Sequence, residues 1–289
     1  MKPLCCYLCN GTKFERIAKR TRDFPNVYVI RCEQCGLVSL SSFLHICDDF
    51  YKRGMMHDWN KEKWESWVRS TRKDDARRVI YLRDKMKNMR LLDFGCGNCE
   101  FILKARLTTH GEIIGVEPDN AYKKYAEEAL KRAEISVYKS LYDILDKKFD
   151  MITMFHVIEH LIDPIPILEQ LIDLLADDGI LVIETPNAND ALLSLYKCQA
   201  FSAFTYWGCH VRLYDQNTLQ ALLKKVGLKG DVQQIQRYPL SNHLYWMSNG
   251  KPGGHEVWDF MNSPELTSSY ESALLEKMAC DTIMGIFYK

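Results

Sequence analysis

From residue 90 the chain alternates between two hydrophobic rhythms. Short unbroken apolar runs ("RLLDFGC", "EIIGVEP", "ISVYK", "FDMITMF", "ILVIETP") are separated by segments whose apolar residues recur every three or four positions, "EFILKARL", "AYKKYAEEALKRA" and "IPILEQLIDLLADDG". The runs predict strands buried on both faces, and the spacers predict amphipathic helices, the last of them closed by Gly179. Strands joined through helices by short connections imply a parallel sheet covered on both sides, a doubly wound α/β domain. Farther on, "NTLQALLKKVG" predicts another amphipathic helix stopped by Gly227, and "DTIMGIFYK" a terminal strand.

The chain upstream follows neither rhythm. Residues 48 to 88 are polar, aromatic and charged, and "WNKEKWESWVRSTRKDDARRVIYLRDKM" predicts one or two helices with Trp59, Trp64 and Trp67 near helical spacing, a packing face for the next domain in preference to a ligand-stacking surface. Before them, five cysteines crowd the first 35 residues, in "CYLCNG" and "CEQCGL", with the strand-like "NVYVIR" between. Cys6 and Cys9 form one C-x-x-C pair and Cys32 and Cys35 the other, with Cys5 as the spare. Two such pairs suit a tetrahedral zinc ion, since four thiolates converge at about 2.3 Å without a large core. A site closed by four thiolates keeps no open position, so this zinc is expected to be structural. The boundaries that follow are a ribbon at 1–45, a helical linker or cap at 46–88, and the α/β domain at 89–289.

Composition removes several function classes. The 289 residues are 47% hydrophobic and 26% charged, as in an ordinary globular protein. Formal net charge is zero, which argues against a long phosphate track, although residues 1 to 40 hold seven Lys or Arg against three Asp or Glu. No apolar run reaches the roughly 18 residues of a membrane span, and "MKPLCCYLCN" has no signal-peptide core, so a cytoplasmic protein is expected. In that reducing setting, close cysteines point to metal more than to disulfides.

Candidate chemistry begins where the first buried strand of the α/β domain ends. In "LLDFGCGNCEF" the strand carries Asp93 and runs into Gly95, Cys96 and Gly97 before a helix, so a ligand can approach bare backbone and free amides. The next strand ends in Glu117, at the spacing where an acid holds ribose hydroxyls. A dinucleotide fingerprint would have a third Gly where Glu100 stands, which lowers a nicotinamide reading. These residues resemble class I S-adenosylmethionine-dependent methyltransferases: "LLDFGCGNCEFI", "IIGVEPD", "FDMITMFHVIEHLIDP" and "GILVIETPN" follow in that family's order over about residues 88 to 230. Cys99 departs from the pattern, standing where relatives commonly have Gly.

The resemblance implies a Rossmann-like, mostly parallel sheet with a C-terminal antiparallel hairpin. It implies that Asp93, Gly95, Cys96 and Gly97 surround the methionine part of S-adenosylmethionine and that Glu117 holds the ribose, with Asp119 beside it. It also implies that Ser140 and Leu141 flank the adenine and that Phe155 and His156 close over the sulfonium. The cysteine pairs and the segment around Tyr51 are similar to methyltransferases with an N-terminal zinc ribbon, many from surface-polysaccharide, deoxysugar or secondary-metabolite pathways, which implies a small or glycosyl acceptor. An insertion at about 236–275 would shape the acceptor pocket, with Tyr238, Asn242, His243, Trp246 and His255 as candidate contacts or as loop packing.

"FHVIEHLIDP" also holds His156, Glu159 and His160 as H-x-x-E-H, a zinc-peptidase signature. A peptidase would need both histidines on one helix, whereas His156 falls at a strand tip and Pro164 opens the next helix. The sulfonium needs no metal, only a placed nucleophile and removal of its proton. His160, with Glu159 to fix its tautomer, is the first candidate base, and His210 in "GCHVRLYD" the second; each is equally open to a capping or core role. Glu159 and the histidines could instead hold a divalent cation, as quinone-pathway relatives do with a Glu at the position of His156. Two other readings stand beside small-molecule methyl transfer: an RNA methyltransferase that uses the ribbon to bind its substrate, and a cofactor-binding interaction protein without catalysis.

Overall fold

The computed structural model describes residues 5–46 and 60–289; Tyr51 and Trp59 lie outside them. In chain order the elements are β1 (Phe14–Ala18), β2 (Val29–Cys32), β3 (Val38–Leu40), α1 (Lys61–Met86), β4 (Leu91–Phe94), α2 (Glu100–Ala105), β5 (Ile113–Val116), α3 (Ala121–Tyr125), α4 (Glu127–Arg132), β6 (Ser136–Tyr138) and β7 (Phe149–Phe155). There follow α5 (Pro164–Leu174), β8 (Leu175–Pro186), α6 (Ala191–Ser194), α7 (Gln199–Thr205), β9 (Arg212–Leu213), α8 (Gln216–Lys225), β10 (Lys229–Ile235), α9 (Leu240–Asn249), α10 (Gly254–Val257), α11 (Pro264–Glu276) and β11 (Thr282–Tyr288). They gather into two compact units, neither a single stretch of sequence: Met1–His45 with Ile158–Ile162 and Glu184–Gly285, and Ile46–Val157 with Asp163–Ile183 and Ile286–Lys289.

A seven-stranded sheet has the order β10-β11-β8-β7-β4-β5-β6. Its β4 is parallel to both neighbours, with Leu91, Leu92 and Asp93 paired to Ile113, Ile114 and Gly115 on one side and to Met151, Ile152 and Thr153 on the other. Leu91, Leu92, Met151 and Ile152 are fully buried, as the unbroken apolar runs require. From β4 the chain moves outward through β5 and β6 and then returns to β7 on the opposite flank. That reversal puts the topological switch point at the carboxyl ends of β4 and β7, the place where open α/β sheets bind ligands.

Helix α1 is one continuous helix, capped by the Asn60 side chain accepting from the Lys63 amide, and it packs against α2. Its buried stripe is Trp64, Asp75, Arg78, Leu82 and Met86, at the spacing of one helix face. Two predicted boundaries move. Helix α5 stops at Leu174 and not at Gly179, because Leu175 is already extended with ψ 139° and the Asp177-Asp178-Gly179 that follows consists of weak helix formers. The single helix expected over "AYKKYAEEALKRA" breaks at Ala126, with φ −121°, into α3 and α4.

In the other unit, β1, β2, β3 and β9 form a four-stranded antiparallel sheet, with Phe14 opposite Cys32, Val29 opposite Leu40 and Val38 opposite Leu213. Arg212 of β9 is buried; its guanidinium lies 4.2 Å over the Tyr7 ring and donates to the Ile162 carbonyl at 2.7 Å. The region between β10 and β11 is helical and not a loop. Asn242, His243 and Trp246 point into its core, where His243 Nδ1 meets the Tyr270 hydroxyl at 2.7 Å and burial pushes the imidazole pKa down to about 4. All three lie on the buried face of α9.

Candidate functional site

At the end of β4 the backbone turns through Gly95 at φ +78° and Gly97 at φ +51°. A Cβ on Gly95 would stand 2.3 Å from a methyl of Val157, so φ and packing both demand glycine there. Cys99, at φ 65°, takes the same left-handed conformation without being glycine, as the non-helical residue that opens α2. Cys96 is turned inward: a Cβ added to Gly115 of β5 would meet its Sγ at 2.6 Å, so Cys96 has only backbone to offer a ligand. Its sulfur lies 3.9 Å from that of Cys99.

Glu117 is anchored at both carboxylate oxygens. The Gly97 amide donates to Oε2 at 2.8 Å and the Asp119 amide to Oε1 at 2.9 Å, while burial pushes the carboxyl up to about 7 against those two bonds. The side chain of Asp119 accepts from the Ala121 amide at 2.9 Å. Asp93 lies behind the turn, buried, with the Thr153 hydroxyl donating to it at 2.7 Å, and burial raises it to about 7 as well. Ser140 caps the turn of Leu141–Ile144, accepting from the Tyr142 amide at 3.3 Å, and Leu141 is buried. Phe155 ends β7 edge-on to Phe101 at 4.8 Å, and His156 follows it in the left-handed region at φ 54°.

Helix α1 adds residues that sequence reasoning did not single out. Arg78 pairs with Asp75 at 2.8 Å, both buried, and its guanidinium lies 4.6 Å from the Phe155 ring centroid. Asn98 of the turn donates to the Thr71 hydroxyl at 2.9 Å, and the Trp67 ring closes to 3.1 Å of where a Gly97 Cβ would be. The signal was present: an Asp and an Arg three apart on a stripe continuing to Leu82 and Met86 are charges placed on the helix's inner face.

The other candidate residues lie in the ribbon-bearing unit. His160 ends a short turn, Ile158–His160, before the loop to α5, so His156 and His160 share no helix and the peptidase arrangement is absent. Glu159 is buried and accepts from the Thr185 hydroxyl at 2.9 Å. The Nδ1 of His160 is 3.0 Å from the carbonyl of Cys209, and because a carbonyl only accepts, Nδ1 carries the proton. The His160 and His210 rings meet edge to face, 4.9 Å between centroids.

In the ribbon, Cys6 and Cys35 are 3.5 Å apart through their sulfurs and Cys9 and Cys32 are 3.6 Å apart, close to the ~3.8 Å edge of a tetrahedron with 2.3 Å bonds. Burial opposes ionisation of Cys32, yet the backbone amides of Cys35 and Gln34 hold it at about 7; burial raises Cys6 and Cys35. The four sulfurs fit one metal ion.

Sheet order, glycine turn and anchored acid define a Rossmann-like α/β protein of the methyltransferase type. The methyltransferase-domain model matches residues 67–234, and the chain belongs to that family. Similar curated proteins include the ubiquinone biosynthesis O-methyltransferase of Actinobacillus pleuropneumoniae serotype 7, 29% identical over 38% of this chain and 52% of that protein. An uncharacterised methyltransferase of Schizosaccharomyces pombe is 33% identical over 29% of this chain and 35% of its own length. The chain thus spans about half, or less, of the length of these relatives. Among solved structures, an S-adenosylmethionine-dependent methyltransferase of Archaeoglobus fulgidus shares the fold with TM-score 0.54 at 20% identity, covering 78% of this chain and 99% of that one. A methyltransferase of Thermotoga maritima, described as a possible histamine N-methyltransferase, gives 0.51 at 17% identity over 86% and 100%.

Proposed function

We propose that the protein transfers a methyl group from S-adenosylmethionine to a small-molecule acceptor, a sugar or cell-surface glycan precursor, in keeping with the ribbon-bearing methyltransferases it resembles. The observation that carries the reading is the Glu117 carboxylate, held by the Gly97 and Asp119 amides beside the turn that follows β4. An ionised carboxylate has about four acceptor sites; two are spent on amides, which fixes its aim, and the others suit a ribose diol. S-adenosylmethionine, when bound, supplies a sulfonium methyl that is already a good electrophile. Gly95 and Gly97 let the backbone meet its methionine portion, Asp93 and Arg78 supply charge there, and Asp119, Ser140 and Leu141 border the nucleoside. Phe155 and His156 cover the sulfonium.

His160 and His210 are the groups that dispose of the acceptor's proton, with Glu159 held behind them by Thr185. The Cys209 carbonyl supports this role for His160, since a proton on Nδ1 leaves Nε2 as the basic nitrogen. Cys6, Cys9, Cys32 and Cys35 hold a structural zinc ion.

The test is radiolabelled methyl transfer from S-adenosylmethionine to a panel of sugar nucleotides and to RNA, with calorimetry of cofactor binding alongside. Glu117→Ala should weaken cofactor binding by about tenfold or more, the equivalent of one or two hydrogen bonds to a charged group. His160→Gln and His210→Gln should retain binding and lose turnover. Label in RNA and none in sugars refutes the acceptor class; tight cofactor binding with no transfer to any acceptor leaves an interaction protein.

A further inference from the structure

Apart from the ribbon cysteines, one other group of metal-binding side chains comes together among the described residues: His160, Cys209 and His210, with one donor atom from each lying within 4.8 Å of the others. We propose that these three residues form a second metal site, binding a divalent zinc ion with a fourth position left open.

The donor set names the metal. Two imidazoles and a thiolate are borderline-to-soft ligands that suit zinc and disfavour magnesium or calcium, and three protein ligands are the pattern of sites that keep an exchangeable position. His160 is oriented as metal-bound histidines are: its Nδ1–H is on a backbone carbonyl, that of Cys209 itself, at 3.0 Å, which assigns ligation to Nε2.

The turn carrying the other two ligands is pinned on several sides. The Gly208 amide donates to Asp23 at 2.8 Å, and the Gly208 carbonyl is 2.8 Å from His45 Nε2. The His210 amide closes the turn onto the Trp207 carbonyl at 3.0 Å. A Cβ on Gly208 would stand 2.3 Å from the Phe24 ring, so the ribbon side of the turn has no slack. A site whose supporting shell is fixed loses little entropy on binding the ion.

Charge favours a cation. Glu159, buried and adjacent in sequence to His160, and Asp23, which accepts from the Gly208 amide next to Cys209, place negative charge around the cluster.

The consequence for the acceptor rests on the reading that His160 and His210 are the groups it meets. With zinc in place, the Nε2 lone pair is a ligand and not a base. A hydroxyl entering the fourth position loses its proton to water because the ion stabilises the alkoxide, as zinc brings the pKa of bound water down to about 7.

The experiment is metal counting on the full-length protein, stripped with chelator, reloaded with zinc alone and desalted. Wild type should retain about two zinc ions per chain, and Cys209→Ser and His160→Gln about one, the ribbon's. Reloading with cobalt gives a second reading that tolerates small losses of stability, since removal of Cys209 should remove one thiolate's share of the sulfur-to-cobalt absorption while the ribbon's share persists. One zinc per chain in wild type, with cobalt absorption unchanged by Cys209→Ser, overturns the site. Methyl transfer measured on the same His160→Gln sample separates the two ideas. If wild type holds only the ribbon's zinc and the variant loses turnover, His160 acts as a direct base; if wild type holds two ions, the variant one, and turnover is intact in the variant, the site exists but the acceptor meets other groups.

Discussion

Asp93 offers a quantitative test of how the turn after β4 is built. Its carboxyl is buried beneath the glycine turn with the Thr153 hydroxyl as a donor, and burial, outweighing that bond and Arg78, raises its pKa from 3.8 to about 7. A raised carboxyl means the folded state keeps a proton that the unfolded chain releases above about pH 4. Its stabilising effect is therefore complete below that pH and is lost as pH rises toward 7. About three pKa units at 1.36 kcal/mol each give roughly 4 kcal/mol, an upper figure because entering water and small rearrangements relieve a buried charge. Asp93→Asn keeps the carbonyl that accepts from Thr153 and cannot ionise. Chemical denaturation without cofactor, from pH 5 to 8, should show wild type losing several kcal/mol relative to the variant, so that the variant is at least as stable at pH 8. Parallel pH curves for the two proteins would refute the account. Glu117 and Asp190, also raised to about 7 by burial, give wild type the same sign of pH dependence and remain in both proteins.

His243 has the opposite sign: its imidazole is pushed down to about 4, so its contribution is present above pH 6.5 and is lost as pH falls to 4, about 3 kcal/mol that His243→Gln should remove from the acid limb of the same curves. Gly95→Ala combines a left-handed alanine with a 2.3 Å contact to Val157, and should cost about 2–4 kcal/mol in denaturant unfolding. Thr185→Val removes the donor to buried Glu159 and should destabilise by about 1–3 kcal/mol in denaturant unfolding. Exhaustive chelation should release the ribbon's metal and lower the unfolding temperature, with zinc restoring it; a protein indifferent to chelator refutes a structural ion there.

The turn after β4 was legible in the sequence because backbone demands wrote it: Gly95 and Gly97 take positive φ, and Glu117, one strand later, accepts from the Gly97 amide. The convergence of Cys6, Cys9, Cys32 and Cys35 was legible too, from the two C-x-x-C spacings. What the text did not give up depended on contacts distant in the chain. Arg78 and Asp75 looked like two of many charges in a polar helix, and only their phase against Leu82 and Met86 marked them as buried. Cys209, unremarkable beside His210, joins His160 across 49 intervening steps of chain. His243 and Trp246 read as a polar, aromatic loop because short amphipathic helices share that composition.

The ribbon's sheet closes on β9, and Tyr7 stacks on Arg212 of the same strand. During synthesis, the four cysteines are all available once residue 35 has emerged, but the strand that completes their sheet comes from Arg212–Leu213. Capture of the proposed zinc ion would therefore precede folding of the surrounding unit by most of the time needed to translate the chain, leaving the Val38–Leu40 edge without its partner strand in the interval. That order would make the proposed zinc ion a placeholder for structure that has yet to be translated. It also predicts that fragments ending before residue 212 will carry metal and aggregate through that edge, a liability that the full-length chain outgrows.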